Sequence, residues 1–542
     1  MAARFSFLII CFFAFYSALV WNLYNIQIEK GNYYVGRALA QNEARGFFDP
    51  KRGRILFTDK NKNFSPAAIN REKLSIFAAP KEIEDVSEAA HILAPIFGLE
   101  PTRLEARFLR ENSLYELLDG RPSEELVKEI KEFNLRGIYI GTRLSRYYPL
   151  GELGAHLLGF IAPTAEDDNF AGRYGLETYY EERLAGKSGE ITGERLLSPV
   201  HGDDLVLTID PAIQERASAI LEKLIKDYRA EGGTVMVQNP STGAILAMHS
   251  EPSFDPNEYY KFSFGHFTNP VVEAVYEPGS IFKVITMAIG LDAGKITPDT
   301  TYFDGGSVTY NTHTIRNWDL KAHGTITMTQ VLENSVNTGA VFAERQVGHE
   351  NFLSYLKKFG FDSKTEVDLP GEVAGNLKNL DGSSRDINFA NASFGQGVAV
   401  TSLNLLRAIS TIANGGVMAR PYLNAELQPK NEGRIISEGA AKQTVDMMVS
   451  AVDKARVAAI PYYSVAGKTG TAQVPDLKRG GYTKDVINTY IGFAPAYNPQ
   501  AVVFIRLDKP YGAPLAGLTV VPSFRELMEF VLNYYNVSPD RL

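Results

Sequence analysis

The 542-residue chain is long enough for two or three domains. A formal net charge of −8 and a pI near 5.7 give no support for nucleic-acid binding. The one cysteine, Cys11, rules out a disulfide framework and a cysteine-ligated metal.

The chain opens on an uncharged apolar run from Phe5 to Trp21, 17 residues long and at the short end for a membrane span. The helix can continue through Leu23, Tyr24 and Ile26, with Trp21 and Tyr24 as interfacial anchors. Arg4 and the amino terminus are the only charges before it. Ala14 with Tyr16, or Ala18 with Val20, breaks the small-x-small pattern of a cleavage site. Residues 1–26 therefore read as an uncleaved anchor rather than a signal peptide.

From about residue 23 to 195 there is no catalytic constellation. Arg52, Gly53 and Arg54 stand between a turn at Asp49-Pro50 and a short strand, Ile55 to Phe57. Helices are predicted near 81–97 and 123–134. Arg143, Arg146 and Tyr147-Tyr148-Pro149 follow, then Gly172-Arg173-Tyr174-Gly175-Leu176-Glu177 and Tyr179. Each arginine, taken singly, reads equally well as a surface salt bridge.

The texture changes at Val206. A strand ends at Leu207-Thr208-Ile209, Asp210 is the predicted N-cap and Pro211 the first turn of a helix. Ile213, Ala217, Ile220, Leu221 and Leu224 form its buried stripe. Thr234–Gln238 and Ala244–Met248 read as strands of a hairpin. Further on, 400–414 reads as a helix stopped by Gly415-Gly416. Strands are expected at about 463–472, 488–494 and 501–507. Ser523 with Glu526 suggests a capping box for a last helix reaching Tyr535. Strands at both ends with helices between them predict one antiparallel sheet packed by helices, an α+β class.

Three short strings carry chemistry: Ser280-Ile281-Phe282-Lys283, Ser335-Val336-Asn337 and Lys468-Thr469-Gly470-Thr471, spaced 55 and then 133 residues apart. The first two have decoys, Ser354 with Lys357 and Ser402 with Asn404. Ser280 follows Glu277-Pro278-Gly279 and precedes an apolar run, so it sits at a helix start where backbone N–H groups are unpaired. Ser354 lies inside an amphipathic pattern (Phe352, Leu353, Leu356, Phe359) and reads as helix surface. Ser402 opens another helix and reads as a cap.

A serine hydroxyl is a poor nucleophile and needs a base in contact. Lys283, three residues on, shares its helix face. Burial would keep that amine neutral enough to take the proton. Ser335 can relay the proton to a leaving amine. Asn337 offers an amide to a peptide substrate. Lys468 to Thr471 reads as an edge strand on which Gly470 lets a ligand backbone approach. Lys468 supplies charge there, and the hydroxyls of Thr469 and Thr471 can bind a terminal carboxylate.

The ordered trio is the signature of penicillin-binding proteins and class A β-lactamases. The upstream strings narrow this: an arginine-glycine strand, Tyr148-Pro149 before Gly151, Gly175-Leu176-Glu177, and later Pro252 to Asn257. Together they make the chain similar to the class B penicillin-binding proteins over nearly its whole length. It departs after Arg54. The family continues with an Asp-Arg-Asn-Gly turn and Leu-Ala, whereas this chain has Thr58 to Asn63 and then Ser65-Pro66.

The resemblance implies a β-lactamase/transpeptidase-like domain at 200–540, an elongated mixed pedestal or dimerisation domain at 27–195, and one transmembrane helix. It implies a D,D-transpeptidase of peptidoglycan synthesis working through a Ser280 acyl-enzyme, with Ser280, Lys283 and Ser335 catalytic. Asn337, Lys468, Thr469, Gly470 and Thr471 would bind substrate, and the N–H groups of Ser280 and Thr471 would form the oxyanion hole. No metal or organic cofactor is implied. The implied partners are stem peptides, β-lactams as inhibitors, and a membrane glycan polymerase with division or elongation proteins. The implied location is the cell membrane, single-pass, with the catalytic domain outside the cytoplasm. The lack of a glycosyltransferase-like segment argues against the bifunctional class A type. Ser-x-Asn favours the division type over the elongation type.

Four rival readings stand beside it. A β-lactamase needs a water-activating carboxylate, and no such element is recognisable. A D,D-carboxypeptidase shares the trio but seldom this pedestal. A β-lactam sensor needs more membrane spans. An idle division scaffold would not need an intact trio.

Overall fold

The computed structural model describes residues 2–30, 50–109, 116–120, 122–164, 170–192, 195–310, 313–381, 385–476, 478–513 and 515–541. Asp49, read above as part of a turn, lies outside them. Helix α1 (Ala2–Tyr24) continues as a π-helical turn over Asn25–Glu29. The apolar stretch Arg4–Glu29 has 26 residues, and an 18-residue window within it has a mean hydropathy of 1.9. At about 1.5 Å per residue the whole stretch is near 40 Å, more than the ~30 Å of a bilayer core. Its large apolar side chains from Phe5 to Ile28 are exposed, so nothing among the described residues buries them.

The chain forms two compact units. Strand β1 (Ile55–Thr58) turns into the long strand β2 (Phe64–Ala78), which contributes residues to both. The turn is built by Asp59, whose carboxylate accepts from the N–H groups of Asn61 and Asn63, each at 2.8 Å, and from the Asn63 amide at 2.9 Å. An Asx-type turn thus stands where the resemblance led one to expect Asp-Arg-Asn-Gly.

The first unit covers residues 1–53, 69–147 and 182–203. Its helices are α2 (Val86–Ile96), α3 (Pro101–Phe108) and α4 (Glu124–Phe133). Strand β3 (Glu116–Asp119) and strand β4 (Ile138–Tyr147) both pair antiparallel with β2. The helix expected at 81–97 starts later. Pro80–Glu82 forms a 3-10 turn, and Asp85 caps Glu88 N–H at 2.9 Å. Ile76, Ala90, Leu93, Leu104, Phe108 and Ile130 make the core. Arg146 is spent on structure: its guanidinium donates to Gly53 O at 2.7 Å.

The second unit covers residues 54–68, 148–181 and 204–542. Strand β5 (Leu205–Val206) runs parallel to β1. Arg54 pairs with Asp204 in this unit at 2.6 Å. Helix α5 (Pro211–Tyr228) is capped by Asp210, which accepts from Ala212 N–H and Ile213 N–H at 3.0 and 3.3 Å. Strands β6 (Gly232–Gln238) and β7 (Ile245–Glu251) form the expected hairpin. Helix α6 (Phe282–Asp292) is buried from Phe282 to Leu291. Being central, it shows no amphipathic stripe. Then come α7 (Met328–Asn334), α8 (Asn337–Val347), α9 (His349–Lys358), α10 (Ser402–Ala413) and α11 (Glu438–Ala455). Strands β8 (Ala466–Pro475), β9 (Tyr482–Ala494) and β10 (Ala501–Asp508) precede the last helix, α12 (Val520–Tyr534).

One antiparallel sheet gathers the strands in the order β7-β6-β10-β9-β8. Ile213, Leu221, Val235, Val503, Ile505, Phe524 and Val531 belong to the core between its outer helices and the sheet. Two predicted caps fail. Helix α12 starts at Val520, and Ser523 lies inside it. Burial of Val520, Val521 and Phe524 carries the helix three residues past the sequence signal. At α10 the cap is Thr401, in a capping box with Asn404, and Ser402 follows it.

Candidate active site

Ser280 sits in a 3-10 turn, Gly279–Ile281, that runs into α6. Gly279 has φ +58°, and a Cβ there would lie 3.1 Å from Ala472 Cβ and 3.2 Å from Thr471 O. Only glycine takes that backbone without strain and lets the serine turn lie against β8. Gly279 N–H donates to Gly395 O at 3.1 Å, and Thr286 Oγ1 to Ser393 O at 2.7 Å, fixing the turn from its other side. The decoys separate cleanly. Ser354 and Lys357 are exposed on α9, and Asn404 is occupied in a cap.

Lys283 is fully buried, and its amine donates to Ser280 Oγ at 3.1 Å, Ser335 Oγ at 3.2 Å and Ser335 O at 2.5 Å. Lys468 is buried too, and its amine reaches Ser335 Oγ at 3.0 Å, Thr469 O at 3.1 Å and Thr469 Oγ1 at 3.2 Å. Neither lysine has a carboxylate within ion-pair distance among the described residues. Burial, and then the charge of Lys468, hold the Lys283 amine far below its usual value. Burial alone brings Lys468 down to about 7. Two ammonium groups sharing one hydroxyl in a low-dielectric site repel, so the pair sheds a proton. A neutral Lys283 then has a lone pair in reach of the Ser280 hydroxyl.

Ser335 ends α7 in the left-handed conformation, φ 55° and ψ 42°. For a residue with a Cβ this costs about 1–2 kcal/mol. The hydrogen bond from Lys283 to its carbonyl accompanies that conformation. Asn337 opens α8, and its side-chain N–H donates to Arg316 O at 2.8 Å.

Sequence reasoning missed the segment that frames this string. Asn317 Oδ1 accepts from Thr338 N–H at 3.3 Å, and Trp318 Nε1 donates to Asn334 O at 3.0 Å. Buried Asp304 accepts from Thr338 Oγ1 at 2.7 Å, Asn317 Nδ2 at 2.8 Å and His323 N–H at 3.1 Å. Glu277, beside the nucleophile turn, takes Gly397 N–H and Tyr482 O–H, both at 2.9 Å. No periodicity announces these groups, because they meet from segments distant in sequence.

Strand β8 is the sheet edge, as expected, and its Thr469 and Thr471 are half-buried on one face. Thr471 Oγ1 accepts from Ala516 N–H at 3.4 Å. Gly470 has a structural reason to be glycine that the sequence did not show. A Cβ on it would lie 2.2 Å from Thr489 Oγ1, 3.1 Å from Ile281 Cγ1 and 3.1 Å from Pro278 O. The glycine makes room for the protein's own nucleophile turn. Gly470→Ala is therefore expected to cost about 1–3 kcal/mol of stability through overpacking, read as a lowered melting temperature. An unchanged melting temperature with selective loss of ligand binding would return Gly470 to a ligand-facing role.

Two amines, several hydroxyls and an amide suit an anion and not a metal cation. A serine hydroxyl beside a buried amine of lowered pKa is the equipment of nucleophilic acyl transfer. Residues 233–529 match the penicillin-binding protein transpeptidase domain, and residues 48–195 match the penicillin-binding protein dimerisation domain. The chain belongs to the penicillin-binding protein transpeptidase family, in the class B branch that joins these two domains. It is 32% identical over 525 residues to stage V sporulation protein D of Bacillus subtilis, covering 91% of this chain and 79% of that one. It is 28% identical over 548 residues to the probable peptidoglycan D,D-transpeptidase PenA of Neisseria gonorrhoeae, covering 96% and 89%. The crystal structure of penicillin-binding protein 3 of Mycobacterium tuberculosis with aztreonam superposes with a TM-score of 0.70 at 26% identity, covering 91% of this chain and 97% of that one.

Proposed function

We propose that this transpeptidase cross-links peptidoglycan stem peptides through an acyl-enzyme on Ser280. Lys283 takes the serine proton as Oγ attacks the carbonyl of the penultimate D-alanine. The N–H groups of Ser280 and Thr471 hold the oxyanion. Ser335 passes the proton to the departing amine, and D-alanine leaves. An amine of a second stem peptide then takes the acyl group. Asn337 holds the peptide, and Lys468, Thr469 and Thr471 bind the terminal carboxylate. Penicillins enter the same way, because a β-lactam also carries a carboxylate beside its scissile amide.

The observation that supports this most is the buried Lys283 amine, without a carboxylate partner, 3.1 Å from Ser280 Oγ. Helix α1 would anchor the chain, with residues 27–195 and 200–540 as pedestal and catalytic domains outside the cytoplasm. Ser-x-Asn favours a role in division, beside a glycan polymerase. The test is to supply the full chain in detergent with glycan strands bearing D-Ala-D-Ala stem peptides. Mass spectrometry should find free D-alanine and cross-linked peptide dimers. D-alanine without dimers would make the protein a carboxypeptidase, and neither product would leave a scaffold.

The carboxylate clamp has its own test. Thr469→Val keeps the shape and removes one donor to a charged acceptor, worth roughly 1.5–3 kcal/mol. Acylation by a carboxylate ligand should fall about tenfold to a hundredfold. A substrate analogue with an amidated terminus should be barely affected. Equal losses for both would mean that Thr469 holds the strand and does not read the carboxylate.

The clamp also predicts a pH limb. Lys468 ionises near 7 in the free enzyme, so its positive charge is present below that pH and lost above it. The acylation efficiency, kcat/KM, of carboxylate ligands should decline through that region as pH rises. The amidated analogue should not follow the same limb.

A further inference from the structure

A polar cluster lies at the sheet edge opposite β8. Ser218 and Glu222 are four apart on α5, so they share a helix face. His249 and Glu251 are two apart on β7, so they share a strand face. Ser218 Oγ donates to Glu222 Oε1 at 2.9 Å and lies 3.1 Å from His249 Nε2. The same Nε2 lies 3.1 Å from Glu251 Oε1. The ligand atoms of Glu222, His249 and Glu251 are all within 4.8 Å of one another.

We propose that Glu222, His249 and Glu251, with the Ser218 hydroxyl, bind a divalent cation of the zinc type, clipping α5 to β7.

Four observations support it. A tetrahedral zinc with bonds of about 2.0–2.1 Å has ligand atoms about 3.3 Å apart. The three contacts along the cluster, 2.9, 3.1 and 3.1 Å, are a few tenths of an ångström shorter than that edge, and the ligand atoms of Glu222, His249 and Glu251 lie within 4.8 Å of one another. The donor set of one imidazole and two carboxylates, without thiolate, matches borderline divalent metals. His249 is 3% exposed and so is held in place, while exposed Glu222 offers a way in.

Charge completes the case. Neither Glu222 nor Glu251 has a lysine or arginine within ion-pair distance among the described residues. Glu152 and Asp255 add negative charge nearby. A divalent cation would cancel the two ligating carboxylates. The His249 ring would carry its hydrogen on Nδ1, leaving Nε2 free to ligate. The strand order β7-β6-β10-β9-β8 puts this clip at the far edge from Lys468, so its role is to brace the sheet and not to touch substrate.

The test uses the full chain in detergent, stripped with chelator and titrated with Zn²⁺ or Co²⁺ alone. One zinc should bind per chain, Co²⁺ should give the visible bands of a tetrahedral site, and the melting temperature should rise by about 5 °C at saturating metal. Glu222→Gln and His249→Ala should each remove the bands and the shift. If His249→Ala fails to fold, the exposed Glu222→Gln decides alone. Absence of stoichiometric zinc, or Co²⁺ bands that persist in Glu222→Gln, would overturn the proposal.

Discussion

Ser280→Ala is expected to abolish covalent labelling by a fluorescent penicillin, and Ser354→Ala to leave it intact. Both serines head a Ser-x-x-Lys string, so the string itself does not choose between them. Surroundings do. Ser280 Oγ is 3.1 Å from a buried amine whose pKa burial holds far below its usual value, and its turn lies against Thr471. Ser354 and Lys357 stand exposed on the solvent side of the amphipathic helix α9, with no buried amine beside the hydroxyl. Without the hydroxyl no acyl-enzyme forms, so the loss should be complete. Labelling that survived Ser280→Ala and vanished with Ser354→Ala would sink the assignment.

Lys283→Ala should slow acylation by about 10²–10⁴-fold, the usual contribution of a general base. The protein should still fold, because the substitution removes a buried amine whose desolvation is itself unfavourable. Lys283→Met retains the length of the side chain and should be as slow, which separates the loss of the base from the loss of packing. Stopped-flow acylation with a chromogenic β-lactam measures both. A wild-type rate in either variant would show that another group takes the serine proton.

Much of the fold was legible because its signals are local. Asp210 with Pro211 starts α5, the hairpin of β6 and β7 carries its turn residues, and Ile213 to Leu224 repeats with helical period. Where tertiary burial outweighs a local cap, the sequence misleads. Ser523 looks like an N-cap, but the sheet's demand for Val520 and Val521 pulls the helix start upstream. Thr401 rather than Ser402 caps α10 for a matching reason: the residue whose side chain meets Asn404 is settled by how the preceding strand arrives.

The sequence by itself determined the three reactive strings, their order, and the helix-start context that singles out Ser280. Residue type and near-neighbour spacing are enough for that, since Lys283 follows Ser280 by three on one helix. Only the tertiary structure decided the electrostatics. Lys283 and Lys468 are 185 residues apart in the chain, and only packing makes them share the Ser335 hydroxyl and lose solvent together. The same holds for Gly470, whose missing side chain is filled by Thr489 and the nucleophile turn. It holds for Asn317 and Asp304, which hold Thr338 from segments that no sequence period links to it. Desolvation and steric fit depend on what folds against a residue, and no string of neighbours records that.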